Sequence, residues 1–497
     1  MTSYRLSQLF SVMVIALSGG LSTELSAAKD PDKGLNVLFL FTDDQPHHTI
    51  RALGNPHIHT PNLDRLVARG LTFTNAYIMG GSSPAVCSPS RAAMLTGRTL
   101  WNLENQGLWK FEMSAERKTL PERWRQQGYE TFATGKNEPG REAAFARSFS
   151  TGDKILFRGM TRSQYRLPLH AFSPEGKYPR ENEVLHTGTH SSVIYADAAI
   201  RFLKGRAETA PDERKPYFAY VAFQTPHDPW EFDESYGEWY DTKKIPLPES
   251  FAPEHPFDNG MLRIRDEMLA GFPRTPEKVR ELIAAHYATI SQTDAEIGRI
   301  LKALEASGEA DHTLIVFTSD NGMAVGRHGL IGKQNVYDHS VHVPMILAGP
   351  GIPKGETREQ LCYNYDIHPT LYQRAGMEIP GEVEYKSLNR VIDDPEVPHR
   401  EHLYFAFMNW QRAMYDGRYK LIEYAVDGKR HTQLFDLAED PEETQNLANE
   451  PGHEATLAKL RKLLERERVR LNDGNTDFPF TNQQGKEFWK TYHSDEG

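Results

Sequence analysis

Short apolar runs alternate with helical patterns along this chain, and this alternation restricts the fold more than any other feature. Residues 36–41 are almost continuously apolar and are followed by Thr42-Asp43-Asp44, as expected of a parallel strand buried on both faces. Further runs of this kind lie at 217–223, 314–317 and 345–347. Such runs predict strands of one large sheet.

Helical patterns separate these runs, at 62–68, 191–203 and 276–306. In the last of them, Thr275 can cap the N-terminus and Pro276 suits the first helical turn. Alternation of strand and helix predicts an α/β fold, with a large and mainly parallel sheet sandwiched by helices.

The pattern changes after about Gly381 to short aromatic strands separated by turn signals such as Asp416-Gly417 and Asp427-Gly428. This pattern predicts a small antiparallel sheet. After it, residues 454–469 are predicted to form one helix. We therefore divide the mature chain into a catalytic α/β domain at 29–385 and a smaller C-terminal subdomain at 386–497.

The N-terminus has the pattern of a secretory signal peptide, predicted at residues 1–28. Arg5 precedes an apolar stretch at 9–21, and the small residues Ser26-Ala27-Ala28 follow. A membrane anchor is the alternative, but the stretch contains Ser18-Gly19-Gly20 and is short for a span of about 20 residues. We expect a periplasmic or secreted protein with no membrane attachment after cleavage.

Charge and cysteine content exclude several classes of protein. With 57 basic and 68 acidic residues the net charge is −11, which argues against a nucleic-acid partner. The two cysteines, Cys87 and Cys362, allow at most one disulfide and no all-cysteine zinc site. If the protein acts on anions, cationic groups must be gathered locally.

Polar residues follow the predicted strands at four places, where an open α/β sheet binds its ligands. These are Asp43-Asp44-Gln45, Thr134-Gly135-Lys136, Thr225-Pro226-His227-Asp228 and Ser319-Asp320-Asn321-Gly322. An Asp-Asp pair alone is more often a turn or a helix cap. Together with Asp320 and Asn321, however, Asp43 and Asp44 form an all-oxygen donor set that suits Ca²⁺ or Mg²⁺ rather than zinc.

The most specific segment is Cys87-Ser88-Pro89-Ser90-Arg91, which continues to Leu95-Thr96-Gly97-Arg98. Pro89 fits a helix start and places Cys87 at a helix N-terminus, where backbone N–H groups favour an anion. A lone cysteine is ordinarily a small buried hydrophobe. Its polar neighbours here favour a reactive group instead.

This segment resembles the signature of the formylglycine-dependent sulfatases of the alkaline phosphatase superfamily, Cys-x-Pro-Ser-Arg followed by Leu-Thr-Gly-Arg. The resemblance is collinear from Asn36 to about Leu447. It includes Thr60-Pro61-Asn62-Leu63-Asp64, Pro226-His227-Asp228, Ser319-Asp320-Asn321-Gly322, Gly332-Lys333, Asp366-Ile367-His368-Pro369-Thr370 and Leu434-Phe435-Asp436-Leu437. It implies an alkaline-phosphatase-like fold and hydrolysis of sulfate esters.

The resemblance implies that a maturation enzyme oxidises Cys87 to formylglycine. One oxygen of the hydrated aldehyde attacks sulfur and the substrate alcohol leaves; the second hydroxyl is then deprotonated, sulfate is expelled and the aldehyde returns. A serine lacks that second hydroxyl. With Cys87 consumed in this way, Cys362 has no intramolecular disulfide partner.

Further roles are implied residue by residue. Asp43, Asp44, Asp320 and Asn321 would bind Ca²⁺, with Mg²⁺ as the alternative, joined by the modified Cys87. Arg91 would orient the nucleophile from one helical turn away. Three further residues match family positions that contact sulfate or protonate the leaving oxygen, namely Lys136, His227 and Lys333. Without the resemblance, the two lysines would be read as surface charges and His227 as a cap at a strand end.

The chain departs from the family at Glu138, where a histidine is often found two residues after the lysine. Glu138 either replaces that histidine as a base or points away from the site, so we leave it outside the predicted site. The segment 157–166 is either a solvated loop or part of the pocket mouth, where arginine and tyrosine would suit a sulfated sugar. His328 and His339 are pocket candidates only because they flank Lys333 in sequence.

We therefore predict a sulfatase that removes sulfate from a sulfated carbohydrate, the substrate preference following from the exported state and from subfamily resemblance. One alternative is a phosphonate or phosphate ester hydrolase of the same superfamily, because tetrahedral phosphoryl and sulfuryl groups look alike to such a pocket. Another is a non-catalytic protein that binds sulfated glycans. The loops at 158–170 and 236–272 would determine which sugar is bound.

Overall fold

A computed structural model of the chain describes residues 34–103, 117–138 and 141–473, and the predicted signal peptide lies outside them. The strands are β1 (Asn36–Thr42), β2 (Leu71–Phe73), β3 (Ala76–Tyr77), β4 (Gly80–Gly81), β5 (Glu130–Asn137), β6 (Thr151–Phe157), β7 (Arg166–Leu169), β8 (Val184–Thr187), β9 (Tyr217–Ala222), β10 (Thr313–Ser319), β11 (Met345–Ala348), β12 (Glu356–Arg358), β13 (Cys362–Tyr363), β14 (Leu403–Phe407), β15 (Gln411–Tyr415), β16 (Tyr419–Val426) and β17 (Lys429–Asp436). The α-helices are α1 (Pro61–Arg69), α2 (Cys87–Thr96), α3 (Leu120–Gln126), α4 (Glu142–Ser148), α5 (Ser191–Glu208), α6 (Glu234–Gly237), α7 (Pro276–Ala306), α8 (Asp338–Val341), α9 (Ile367–Arg374), α10 (Asn389–Asp393) and α11 (Glu454–Arg470).

The first predicted strand lies in the middle of an eight-stranded sheet with the order β12-β2-β11-β10-β1-β9-β5-β6. β1 pairs in parallel with both β9 and β10, and the parallel pairing continues through β5 to β6. β11 runs antiparallel to β10 and to β2. The prediction of a large, mainly parallel sheet is therefore confirmed.

Side chains of β1 alternate between two separate hydrophobic cores, which explains why its sequence is apolar without a polar face. Val37, Phe39 and Phe41 lie in the core that also contains residues of α2. Leu38 and Leu40 lie in the core that contains residues of α1, α5 and α7. Helices therefore cover both faces of the sheet, as a parallel sheet requires.

The longest helix, α7, has the predicted bounds, Pro276–Ala306. Thr275 caps it, because its side-chain oxygen accepts a hydrogen bond from the backbone N–H of Lys278 at 3.2 Å. Among the described residues, no helix combines the length and the apolar character needed to cross a bilayer.

The predicted C-terminal antiparallel sheet is present, with the order β17-β16-β15-β14-β4. Its last member, β4, comes from the predicted catalytic domain and pairs in parallel with β14, so that Gly80 and Gly81 lie beside Ala406 and Phe407. Apolar side chains of this sheet also share one core with β1 and α2. The boundary at residue 385 stays a prediction.

Asp366 joins the α/β part of the chain to the segment that leads into the C-terminal sheet. Its carboxylate accepts hydrogen bonds from His399 Nε2 at 3.0 Å and from both Arg400 Nε (3.0 Å) and Nη2 (2.5 Å). The backbone N–H groups of Tyr363 and Lys386 also donate to it. Burial raises the pKa of Asp366, but Arg400 and His399 outweigh this effect and lower the pKa to about 2.

We expect Asp366→Asn to lower the Tm at pH 7 by about 3 °C, because it leaves Arg400 without its buried counter-charge, at a cost of about 3 kcal/mol. Since the folded pKa lies below the unfolded one, the carboxylate stabilises the fold above about pH 4 and this benefit is lost as the pH falls towards 2. The Tm values of wild type and variant, measured by calorimetry as a function of pH, should therefore converge as the pH falls from about 4 towards 2. Asp212→Asn, at an exposed position, is the matched control. A Tm difference between wild type and Asp366→Asn that stays the same at all pH values would contradict a stabilising role of the Asp366 carboxylate.

Candidate active site

The register of the central strands brings the predicted polar residues to one edge of the sheet. Thr42 of β1 pairs with Ser319 of β10, so both strands end together. Beyond their ends, the N–H of Asp43 donates to the carbonyl of Thr225 at 3.1 Å, and the N–H of Asp320 donates to the carbonyl of Thr42 at 3.2 Å. Three segments that are distant in sequence are thereby joined by backbone hydrogen bonds.

Helix α2 begins at Cys87, as predicted, and all ten of its residues are buried. Its N-terminal turn is attached to the strand ends, because the Ser90 hydroxyl donates to the carbonyl of Asp320 at 2.5 Å. Only 2% of Cys87 is exposed, and burial raises the pKa of its thiol to about 12. The encoded thiol is therefore protonated at neutral pH and is a weak nucleophile.

Lys136 reaches the site from β5. This strand includes Thr134-Gly135-Lys136, which the sequence pattern places after a strand end, because parallel pairing with β6 resumes after a bulge between Ala133 and Gly135. Gly135 has φ +91°, and a Cβ there would lie 1.9 Å from the carbonyl oxygen of Ala222, so only glycine fits. Lys136 Nζ lies 2.5 Å from Asp43 Oδ2 and 3.4 Å from Cys87 Sγ.

Two more cations neutralise the other carboxylates of the site. Lys333 Nζ lies 2.5 Å from Asp44 Oδ1. Arg91 Nε lies 2.7 Å from Asp320 Oδ2, and Arg91 Nη2 donates to backbone carbonyls at the ends of β1 and β9. Arg91 is thus bound to the strand ends, and its Nη1 has no hydrogen-bond partner among the described residues.

The buried carboxylates differ in their pKa values because their neighbours differ. Burial raises the pKa of Asp43, but Lys136 and Arg91 outweigh it and hold that pKa below its usual value. Burial raises the pKa of Asp44 despite the nearby lysine. Burial, followed by repulsion from Asp43, raises the pKa of Asp320 to about 7.

Several buried oxygens at this edge have no hydrogen-bond partner among the described residues, namely Asp43 Oδ1, Asp44 Oδ2 and Asn321 Oδ1. Ligand atoms of Asp43, Cys87 and Asp320 also lie within 4.8 Å of one another. A buried carboxylate or amide oxygen without a partner is costly, and a divalent cation would satisfy all three. The donor set therefore fits a hard cation such as Ca²⁺ or Mg²⁺.

His227 presents one ring nitrogen to the site. Its Nδ1 donates to the backbone carbonyl of Asp228 at 2.7 Å, which leaves Nε2 directed towards Asp44, 3.8 Å from Oδ2. The Asp228 carboxylate is in turn bound by Arg265 through two hydrogen bonds, at 2.6 and 2.8 Å. The histidine is thus held in one orientation.

Glu138 points into the site. It is 2% exposed, its Oε1 lies 3.3 Å from Lys136 Nζ, and this oxygen has no hydrogen-bond partner among the described residues. Of the two interpretations left open by the sequence, the one in which the side chain points away is therefore wrong.

A cavity of about 670 Å³ opens at Cys87, His227 and Lys333 and extends to the surface. From the segment at 157–166, only Gly159 and Met160 line it, whereas Arg158 pairs with Glu183. The other lining residues are Pro84, Ala85, Gly260, Met261, Arg263, Ile264, Arg265, Asp266, Gln334 and Trp410. Sequence patterns pointed to the loops at 158–170 and 236–272, both of which contribute lining residues, but nothing in the sequence indicated Trp410.

His328 and His339 do not line this cavity, contrary to the suggestion from their position in sequence. They line a different cavity of about 280 Å³, together with His47, His48 and His342. The ring of His328 stacks on Tyr337, with centroids 4.0 Å apart. All the other predicted site residues lie together at the strand ends.

Comparisons with known proteins identify the family that this chain resembles. The family model for sulfatases matches residues 35–377, and the model for the C-terminal region of N-sulphoglucosamine sulphohydrolase matches residues 326–470. The N-acetylglucosamine-6-O-sulfatase of Bacteroides thetaiotaomicron is 26% identical over 530 residues, which cover 90% of this chain and 89% of that protein.

Solved structures share the fold at lower identity. A protein in complex with its substrate D-glucosamine-2-N,6-O-disulfate superposes with a TM-score of 0.68 at 22% identity, covering 89% of this chain and 99% of the other. The phosphonate monoester hydrolase of Agrobacterium radiobacter gives 0.69 at 22% identity, covering 88% and 96%. Because the family model matches more than half of the chain, the family resemblance predicted from the Cys87 signature is confirmed: this protein belongs to the sulfatase family and is a sulfuric ester hydrolase.

Proposed function

We propose that this protein removes sulfate from a sulfated carbohydrate, and that a formylglycine made from Cys87 is the nucleophile. The observation that carries the proposal is the position of Cys87 at the buried start of α2, with Lys136 Nζ 3.4 Å from its sulfur. The named activity of the Bacteroides relative on an N-acetylglucosamine sulfate supports a carbohydrate substrate. An aldehyde hydrate at this position would supply the attacking oxygen.

The metal in this proposal is Ca²⁺, with Mg²⁺ as the alternative, held by Asp43, Asp44, Asp320, Asn321 and the modified Cys87. The support is the set of buried oxygens without partners described above. When bound, such an ion polarises the sulfate oxygens and lowers the pKa of a coordinated hydroxyl.

The remaining residues bind the sulfate and move protons. Lys136 and Lys333 are fixed by Asp43 and Asp44, so their positive charges are in place before substrate arrives and stabilise charge that develops on the sulfate oxygens. His227 Nε2 donates a proton to the leaving oxygen of the sugar. Arg91 has its Nη1 available to orient the nucleophile, while its other nitrogens hold the strand ends.

Glu138 takes the place of the family's histidine as the base for sulfate release. Its buried Oε1 lies 3.3 Å from Lys136 Nζ and accepts no hydrogen bond from the described residues, which supports this role. In this step the carboxylate accepts the proton of the remaining hydroxyl on residue 87, and the C=O bond of the aldehyde forms again. The bond between Cβ of residue 87 and the sulfated oxygen breaks, so that sulfate departs with that oxygen.

In this proposal the protein is exported and depends on a maturation enzyme for activity. The sequence pattern at residues 1–28 directs the chain to the periplasm or the exterior, and a formylglycine-generating enzyme modifies Cys87. Because every residue of α2 is buried, that enzyme would need to reach the cysteine before the chain folds.

Mass spectrometry of the peptide spanning Cys87, purified from a host with a competent maturation enzyme, should show an aldehyde in place of the thiol. Cys87→Ala should lower kcat for an aryl sulfate by at least about 10³-fold, because the nucleophile is lost. Cys362→Ala, at the other buried cysteine, should retain activity.

An unmodified thiol with no hydrolysis of any sulfate ester would favour the non-catalytic glycan-binding alternative. A higher kcat/KM on an aryl phosphodiester than on an aryl sulfate would favour a phosphoryl hydrolase.

Chelation should abolish activity and lower the Tm, because the unsatisfied carboxylates then repel one another, and Ca²⁺ should restore both. Asp320→Asn should lower bound calcium, measured by elemental analysis, in parallel with activity. Asp311→Asn, at an exposed position, serves as the charge-matched control. Full activity and an unchanged Tm after complete removal of divalent ions would contradict a metal at this site.

Glu138→Gln should slow sulfate release far more than attack on sulfur, because the amide cannot accept the proton. In rapid-mixing experiments with an aryl sulfate, the burst of phenol should persist while the steady-state rate falls by about 10² or more. Glu181→Gln, at an exposed glutamate, controls for the loss of charge. Unchanged burst and steady-state rates would exclude Glu138 as the base.

A further inference from the structure

The outer wall of the Cys87 cavity contains a tryptophan from the C-terminal sheet. Trp410 lies in the turn between β14 and β15 and is half-buried. The neighbouring Gln411 fixes this turn, because its Nε2 donates to the carbonyls of Asn259 at 3.1 Å and Gln334 at 3.3 Å. The indole is therefore a fixed part of the wall.

Gly260 packs directly against this indole. A Cβ at residue 260 would lie 2.7 Å from the Trp410 Cγ, so the backbone approaches the ring more closely than any side chain would allow. The same ring lines the cavity. A rigid indole bordering an open cavity is a suitable platform for the apolar face of a pyranose ring.

Two arginines line the same cavity, and their surroundings differ. Arg265 is neutralised by Asp228 through two hydrogen bonds and by Asp266 at 2.7 Å. For Arg263, by contrast, no hydrogen bond or ion pair is found over the described part of the chain. Arg263 is exposed, and its guanidinium lies 5.2 Å from the centroid of the Phe272 ring, a contact that does not neutralise the charge.

The rest of the cavity lining is mainly apolar, and its one carboxylate, that of Asp266, is already paired with Arg265. Met160, Met261 and Ile264 line it beside Arg263. Methionine and isoleucine side chains donate no hydrogen bonds, so the Arg263 guanidinium is the cationic group without a counter-charge that this part of the wall presents to a ligand. A guanidinium binds sulfate or carboxylate through two parallel hydrogen bonds.

We propose that this part of the cavity is a sugar subsite that selects substrates with a second anionic group. Trp410 packs on the pyranose ring whose sulfate ester is hydrolysed, and Arg263 binds a further sulfate or carboxylate of the same substrate. The proposal rests on the proposed sulfatase function of this cavity and adds the substrate class to it, an anionic saccharide with more than one charge.

Equilibrium binding tests the subsite without turnover if it is measured by calorimetry on Cys87→Ala, alone and combined with Arg263→Gln. The probes are N-acetylglucosamine 6-sulfate, with one anion, and N-sulfoglucosamine 6-sulfate, with two. A second pair, a 2-O-sulfated hexuronate and its methyl ester, distinguishes a carboxylate from a sulfate as the second anion. We expect at least one doubly charged sugar to bind about tenfold or more tightly than its singly charged counterpart.

Arg263→Gln should remove this preference and bring the paired affinities to within about twofold. Arg166→Gln, at an exposed arginine outside the cavity, should leave the preference intact. Trp410→Ala should weaken binding of all the sugars by a similar factor, since stacking does not depend on the second charge. Circular dichroism and the Tm verify that each variant is folded.

Equal affinities within every pair, a preference that survives Arg263→Gln, or no binding of any of these sugars would overturn the subsite. Hydrolysis of 4-nitrophenyl sulfate by the matured, unaltered protein tests the proposed function separately. Turnover of this ester together with equal sugar affinities would mean that the function stands and the subsite fails. Absence of turnover together with the expected affinities would mean that the subsite stands and the proposed function fails.

Discussion

The pairing of buried carboxylates with buried cations at one edge of the central sheet is the interaction on which the rest of the site depends. Asp43, Asp44 and Asp320 are all excluded from water, so their mutual repulsion must be offset locally. Three cations offset it: Lys136 pairs with Asp43, Lys333 with Asp44, and Arg91 with Asp320. A chain whose net charge is −11 thereby concentrates positive charge where an anionic ester can bind.

Parallel strand register makes this pairing possible. Because β1, β9 and β10 end together, residues 43–44, 225–228 and 320–321 meet without any long loop being ordered for the purpose. The tight approach at Gly135 then lets β5 carry Lys136 into the same space. Precise placement of the reacting groups thus follows from backbone hydrogen bonds, which are more rigid than side-chain contacts alone.

Much of this centre could be predicted from sequence, because strand ends and the Cys87 segment are local patterns. The apolar run before Asp43 and the polar run after Phe317 each mark a strand end by themselves. The extension of β5 could not be predicted, since it depends on a bulge that only the neighbouring strands define. Trp410 and Arg263 were missed for a similar reason: no local pattern distinguishes a cavity-lining side chain from one that faces solvent. His328 and His339 show the converse error, in which nearness to Lys333 in sequence did not mean nearness in space.

The proposed reacting groups and the proposed sugar-binding residues therefore lie on different parts of the structure. The proposed reacting groups are fixed by the parallel sheet, whose geometry is shared with phosphonate hydrolases of the same fold. The outer wall is built from the 260–266 loop and from a hairpin of the C-terminal sheet, joined by Gln411. Changes in these outer segments can alter which sugar is accepted while the buried charge pairs stay as they are. In this arrangement a rigid scaffold holds the reacting groups, while surface segments that do not take part in the reaction border the substrate.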